Sequence, residues 1–238
     1  MTRAAALLLA LLAVSCEKTP EVPKDYLATE VPLYSQLGEE LVARDFFQDR
    51  RDGVFLDVGC STPVSNNTTY YLEAHLGWTG IGIDALPSYG PSWEKTRPNA
   101  TFEHYAVTDV SGETIPFYPA HILGVSSLSE RHVKEWGGGG EPIVVPTITL
   151  TKLLDDHGIA EIDFLSIDIE GAEEGALKGF DIDRFKPELI CIELGVDDEN
   201  DAFILEYLET HGYEVMEKYR AYDNVNSYFR PIADPAAE

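Results

Sequence analysis

Four short apolar runs in this chain of 238 residues end in or beside carboxylates, a residue type that can hold a ribose, orient a hydroxyl or take a proton. Val54 to Val58 carries Asp57 and leads into Gly59 and Cys60, and Gly80 to Ile83 leads into Asp84 and Ala85. Asp163 to Ile167 leads into Asp168 and Glu170, and Leu189 to Glu193 closes on Glu193. In an open α/β sheet a ligand lies beyond the carboxyl ends of the strands, near the point where strand order reverses. Gly59 lets backbone approach a ligand closely, and Asp57 can meet a cationic amine. Asp84 stands roughly 20 to 30 residues after the glycine turn, where a carboxylate holds a ribose diol. Ala85, with Ala106 and Val107 beyond the third strand, completes the expected cofactor-binding set. Taken singly, each acid is more often a helix cap. Taken together, they describe a nucleoside site without a phosphate site.

The turn itself discriminates between nucleosides. Gly59-Cys60-Ser61-Thr62-Pro63-Val64 lacks the second and third glycines of a dinucleotide fingerprint, and Pro63 has no N–H to offer a phosphate. Acidic lining suits S-adenosylmethionine, which carries a sulfonium, an ammonium and no phosphate, better than it suits NAD. Transfer of its methyl group is an in-line displacement at carbon, so the protein must align the acceptor and relieve it of a proton. Asp168 is the expected base or acceptor-orienting group, Glu170 the second choice, and Glu193 a supporting carboxylate beside the substrate. Asp168 and Glu170 would face opposite ways if the strand ran on to Glu170. Glu170 and Glu173 can instead cap the following helix, the preferred reading for Glu173. Ser126-Ser127-Leu128, in the irregular stretch before the glycine run, is a candidate acceptor contact, with Ser126 the residue preferred, although loop serines commonly satisfy only backbone. A hard cation among these acids and Asn66 is a further reading. No His pair has zinc-ligand spacing, so no metal is expected, and His104, His121 and His132 read as surface or loop residues.

These residues need a parallel sheet to bring them together. The four runs, with Thr101 to Tyr105, read as strands, several of them apolar enough for burial on both faces. Helical stretches at Asn67 to Leu76, Thr149 to His157 and Asp201 to His211 alternate with them, which implies right-handed crossovers. Glu214 to Tyr219 and Asn226 to Phe229 read as a closing hairpin with Asn224 in its turn. Apolar residues at helical spacing from Tyr26 to Phe47 predict a preceding helix. Gly137 to Gly140 precedes no helix and reads as a flexible loop. Cys60 and Cys191 fall on strands separated by another, roughly 9 to 10 Å apart, beyond disulfide reach, so both are expected free.

Three segments carry a resemblance to a known family: Asn67-Thr68-Thr69-Tyr70-Tyr71-Leu72-Glu73 with Leu76 to Asp84, Ile162 to Glu173 with its Asp-x-Glu-Gly-Ala-Glu core, and Lys186 to Glu193. The chain resembles the FkbM-type methyltransferases over most of Gly53 to Arg230. It departs from the family's common pattern in the loop from Cys60 to Pro63, where a small residue and a second glycine are usual, and at Asp84, where Glu is frequent. The resemblance implies an α/β, Rossmann-like class I methyltransferase fold, with a mostly parallel sheet and a C-terminal antiparallel hairpin. It also implies S-adenosyl-L-methionine as cofactor and O-methylation of a hydroxyl on a sugar or small metabolite.

Composition narrows the partners. With 42 acidic and 17 basic residues the formal charge is -25, which repels phosphate backbones, so nucleic acid is not an expected partner and a small-molecule or glycan acceptor is. The same charge disfavours electrostatic docking on anionic lipid. Arg3, the apolar run from Ala4 to Val14, and Ser15-Cys16 form a short signal-like leader. Ala13-Val14-Ser15-Cys16 resembles a lipobox, so Cys16 is the expected lipidation site. The expected organisation is a signal peptide over 1–16, a tether over 17–25, a helical segment over 26–52, the methyltransferase domain over 53–231 and a tail over 232–238. An exported, membrane-anchored lipoprotein follows, in the bacterial periplasm or on the cell surface, with a membrane-associated enzyme facing the cytoplasm as the alternative. Because an exported domain meets no obvious supply of this cofactor, a surface-tethered binding module that keeps the fold is a second functional expectation.

Overall fold

The computed structural model describes residues 25–28 and 33–233. The expected leader with Cys16, and almost all of the tether, lie outside them. The strands in chain order are β1 (Val54–Val58), β2 (Thr79–Asp84), β3 (Ala100–His104), β4 (Ala106–Val107), β5 (Thr114–Phe117), β6 (Ile143–Ile148), β7 (Phe164–Ile167), β8 (Leu189–Glu193), β9 (Tyr213–Val215) and β10 (Asn226–Pro231). The helices are α1 (Glu39–Phe47), α2 (Tyr70–Leu76), α3 (Gly90–Thr96), α4 (Glu130–Glu135), α5 (Leu150–Asp156), α6 (Glu173–Lys178), α7 (Ile182–Phe185), α8 (Asp198–Thr210) and α9 (Glu217–Arg220).

Seven strands form one sheet in the order β3-β2-β1-β7-β8-β10-β9. It is parallel from β3 to β8, and β10 runs antiparallel to both β8 and β9. This is the expected Rossmann-like α/β class. The order reverses between β1 and β7, so the loops after those strands meet at the carboxyl edge, where such sheets bind ligands. Alternation along β1 explains why the sheet is covered on both sides. Leu56 and Val58 pack with Leu153, Leu177 and Ile204 of α5, α6 and α8, while Phe55 packs with Val42 and Leu72 of α1 and α2. Asp57 shares the Phe55 face, and this decides its role. Gly82 in β2 leaves room for Trp93, because a Cβ there would lie 2.5 Å from the indole.

Two expectations are corrected, and one feature is new. The helix expected from Tyr26 to Phe47 is confined to α1, with a short 3-10 turn at Tyr26–Ala28. The buried Glu40 carboxylate accepts the N–H groups of Tyr34 and Ser35, which fixes a non-helical approach. The strand expected over Glu214 to Tyr219 is only β9, and α9 replaces the rest, so Asn224 is not the tip of a tight hairpin. The helical turn buries Tyr219 against Tyr228, with ring centroids 5.3 Å apart, and its hydroxyl donates to Asp45 Oδ2 at 2.9 Å. Finally, a small sheet in the order β4-β6-β5 was not foreseen. β4 is two residues long and β6 contains Pro146, so neither reads as a strand. Between β5 and β6 runs an insertion, residues 118–142, that carries α4.

Candidate active site

A cleft opens at the carboxyl edge over the reversal of strand order. Gly59, Asp84, Ala85, Ala106, Val107, Ser126, Asp168 and Glu170 all line it, eight residues that the sequence had singled out. Leu128, of the stretch read as a possible acceptor contact, lines it as well, whereas Tyr89, Tyr105 and Phe117 line it and were missed. Aromatic residues outside a periodic pattern give no such signal in a lone sequence. No Lys or Arg is among the lining residues.

On one side lies the turn after β1. Gly59 has a φ of 84°, and a Cβ there would sit 1.8 Å from the Asp168 carbonyl oxygen. The neighbouring loop therefore demands this glycine, whatever ligand lies beyond. Asp57 and Cys60 do not line the cleft. Asp57 is buried on the α2 face, where its carboxylate accepts from Thr69 Oγ1 at 2.8 Å and Asn67 Nδ2 at 3.3 Å. Arg97, fully buried, donates to Thr69 Oγ1, Asn67 Oδ1, the Pro63 carbonyl and Glu73. Asp57 thus anchors the turn from beneath instead of facing a cationic amine. Cys60 and Cys191 are both buried and unpaired, as expected.

Asp84, at the end of β2, accepts N–H bonds from Ser61 at 3.0 Å and Leu86 at 2.8 Å. Burial pushes its carboxyl up to about 6 against the pull of those bonds. Ser61 Oγ is buried at the cleft wall with the Tyr89 side chain in reach, and no well-aligned bond satisfies it among the described residues.

On the other side are the acids after β7 and β8. Asp168, Glu170 and Glu193 bring carboxylate oxygens within 4.8 Å of one another, a spacing that fits shared protons and is also within reach of a hard cation. β7 ends at Ile167, and Glu170 adopts a left-handed φ of 56°. The expected strand alternation therefore does not reach it, and Asp168 and Glu170 face the same cleft. Asp168 is open to the cleft yet ringed by protein atoms. Lost solvation, then the Glu193 charge, push it well above the usual carboxylate range. Burial, then Asp168, push Glu170 up to about 8, and burial, then Glu170, push Glu193 up to about 7. Glu193 Oε2 is buried without a partner.

Two neighbours complete this side. Glu173, fully buried, accepts the N–H groups of Ile169 at 3.0 Å and Gly171 at 3.3 Å and the Asn200 amide at 2.8 Å, so it is structural, as preferred, but it holds the loop before α6 and ties it to α8 instead of capping α6. His132 is not the simple surface residue expected, for its Nε2 lies 2.8 Å from Glu170 Oε2. Burial lowers the imidazole's affinity for protons. The contact is close without being aligned as a hydrogen bond. Ser126 lines the cleft, but its hydroxyl accepts the Ala120 N–H at 2.9 Å.

Residues 57–215 match the Methyltransferase FkbM domain. The chain belongs to that family. No curated protein matches it. Among solved structures, this FkbM-family chain is similar to a TehB-like SAM-dependent methyltransferase from Corynebacterium glutamicum, at 17% identity over 84% of this chain and 89% of that one, with a TM-score of 0.45. It is also similar to precorrin-6y C5,15-methyltransferase from Geobacter metallireducens, at 15% identity over 84% and 89%, TM-score 0.45. A third is Aeropyrum pernix fibrillarin in complex with S-adenosyl-L-methionine, at 11% identity over 77% and 68%, TM-score 0.42.

Proposed function

We propose that this chain transfers a methyl group from S-adenosylmethionine to a hydroxyl of a sugar or small metabolite. The observation that carries the reading is the cleft's donor set: carboxylates at both ends, a buried serine hydroxyl beside Asp84 and no Lys or Arg among the described residues of the lining. A phosphate-bearing nucleotide would find no cation there, whereas an adenosyl sulfonium finds a ribose partner in Asp84 and an acidic wall. When bound, the cofactor supplies an electrophilic methyl on sulfur. Asp84 holds the ribose hydroxyls, and Ala85, Ala106 and Val107 offer apolar contacts to the adenosyl moiety. Asp168 accepts the proton of the acceptor hydroxyl. Its raised proton affinity makes it a stronger base once ionised, and Glu193 and Glu170 hold the cluster's remaining protons.

The test is a transfer assay with labelled methyl groups over a panel of hydroxylated sugars and metabolites. Label in an acceptor supports the reading. Cofactor binding with no transfer across a broad panel would leave the binding module as the better description. The anchor at Cys16 remains part of the proposal, with an exported, membrane-tethered protein as its consequence. Mass spectrometry of cell-derived protein should find a lipidated Cys16 terminus, and an intact Met1 terminus would exclude it.

A further inference from the structure

The insertion between β5 and β6 grips the loop after β7 at one residue, from two directions. Buried Ser127 donates its hydroxyl to the Glu170 carbonyl at 2.9 Å and accepts the Ser129 N–H at 3.0 Å. Ser129 in turn caps α4 by accepting the His132 N–H at 3.2 Å. The next contact is His132 Nε2 on the Glu170 carboxylate at 2.8 Å, with both side chains largely shielded from solvent. Glu170 is thus held at its carbonyl and its carboxylate while its backbone keeps the left-handed conformation that non-glycine residues seldom adopt. Such a conformation persists only where the surroundings over-determine it.

The same insertion supplies Gly124, Ser126 and Leu128 to the cleft wall. Its fit against Glu170 therefore sets the shape of the acceptor side. We propose that His132 is a positioning residue for methyl transfer, clasping Glu170 so that the 118–142 insertion is registered over the acceptor. This rests on the methyltransferase reading of the cleft. Arg131 and Glu135 of α4, with Asp168, Glu173 and Glu193 at the sheet edge, are the charged groups around the pair. Simple packing of α4 through buried Val133 is the competing role, because it would dock the helix without any grip on Glu170.

Two variants of the full chain separate these roles. His132→Leu keeps an apolar filling and loses the polar contact, whereas His132→Gln places an amide that can reach Glu170. Hydrogen exchange of the 118–142 and 168–173 amides is the readout, with the amides of β1, β7 and β8 as internal reference. His132→Leu should speed exchange in both segments by about tenfold while the reference stays unchanged, and His132→Gln should remain within about threefold of wild type. With an acceptor in hand, His132→Leu should lower kcat by about tenfold and leave cofactor affinity unaltered. Equal rates in the two variants, faster exchange throughout the sheet, or no change in 168–173 overturns the clasp. Exchange requires neither cofactor nor acceptor, so a failure to find methyl transfer would count against the proposed function alone.

Discussion

Two groups of acids lie towards the carboxyl edge of one sheet, one buried and one open to a cleft, and they are treated in opposite ways. Beneath the β1 turn, Asp57 and Glu73 surround Arg97, whose guanidinium also bonds Thr69, Asn67 and the Pro63 carbonyl. Beyond β7 and β8, Asp168, Glu170 and Glu193 approach one another with no Lys or Arg in the cleft. The basic group in contact with them is His132, whose proton affinity burial lowers. A fully bonded arginine makes the first group architecture, since its planar donors fix a loop from below. The second group lacks that compensation and must hold protons to lower its repulsion. Where acids are left without a cation, the fold has kept groups able to exchange protons with a ligand.

The largest effect should come from removing the compensation. Arg97→Met leaves buried Glu73 without its ion-pair partner and takes away the positive charge near Asp57, and loss of one partner from a buried pair costs about 3–5 kcal/mol. A thermal melt should therefore show a severely destabilised or insoluble protein, and a wild-type melting temperature would mean the network is dispensable.

Asp168→Asn probes the other region, where the fold should be nearly indifferent and the chemistry should not. Transfer should slow by about 10² to 10⁴ if Asp168 is the base, while melting temperature and cofactor affinity stay near wild type. A full rate would redirect the base assignment to Glu170.

A smaller effect concerns pH. Glu170 has its proton affinity raised to about 8 from an ordinary value near 4.5. The folded state therefore binds more protons than the unfolded chain between those values, and this contribution to stability is lost as pH rises through about 8. Glu170→Gln removes the charge, so it should raise Tm at pH 8.5 by about 2–4 °C for each kcal/mol of repulsion relieved, with little change near pH 5. An equal shift at both pH values would mean that the effect is packing. The smallest expectation is for chelation: stripping divalent ions with EDTA should leave transfer within about twofold, because shared protons are expected to satisfy the three acids. A large loss would assign the cluster to a cation instead.

The strand-end logic of the sheet was legible because parallel strands buried on both faces read as continuous apolar runs, and β1, β2, β7 and β8 lie close to where those runs predict. Asp84 and Asp168 follow from strand position alone. Side-chain direction did not follow. Asp57 looked like a ligand group until alternation along β1 placed it on the Phe55 face, opposite Arg97, and nothing near Arg97 in the sequence marks it as a buried cation. The direction of Glu170, though not the residue itself, escaped for a related reason, since its left-handed backbone and its contact with His132 depend on chain brought from residues 118–142. A histidine 38 positions away, as the numbering gives it, carries no local signal. Tyr219 shows the same limit, because its strand-like neighbours yield to a helical turn that buries the ring.

The most direct measurement is calorimetric titration of the chain, wild type and Asp84→Ala, with S-adenosylmethionine and with NAD. Charge-assisted hydrogen bonds from Asp84 to the ribose are worth about 1.5–3 kcal/mol, so Asp84→Ala should weaken S-adenosylmethionine binding by roughly one to two decades. NAD should give no binding heat, because its pyrophosphate meets acids and no cation. Saturable NAD binding, or an S-adenosylmethionine affinity that ignores the loss of Asp84 in a folded protein, would contradict the cleft's assignment.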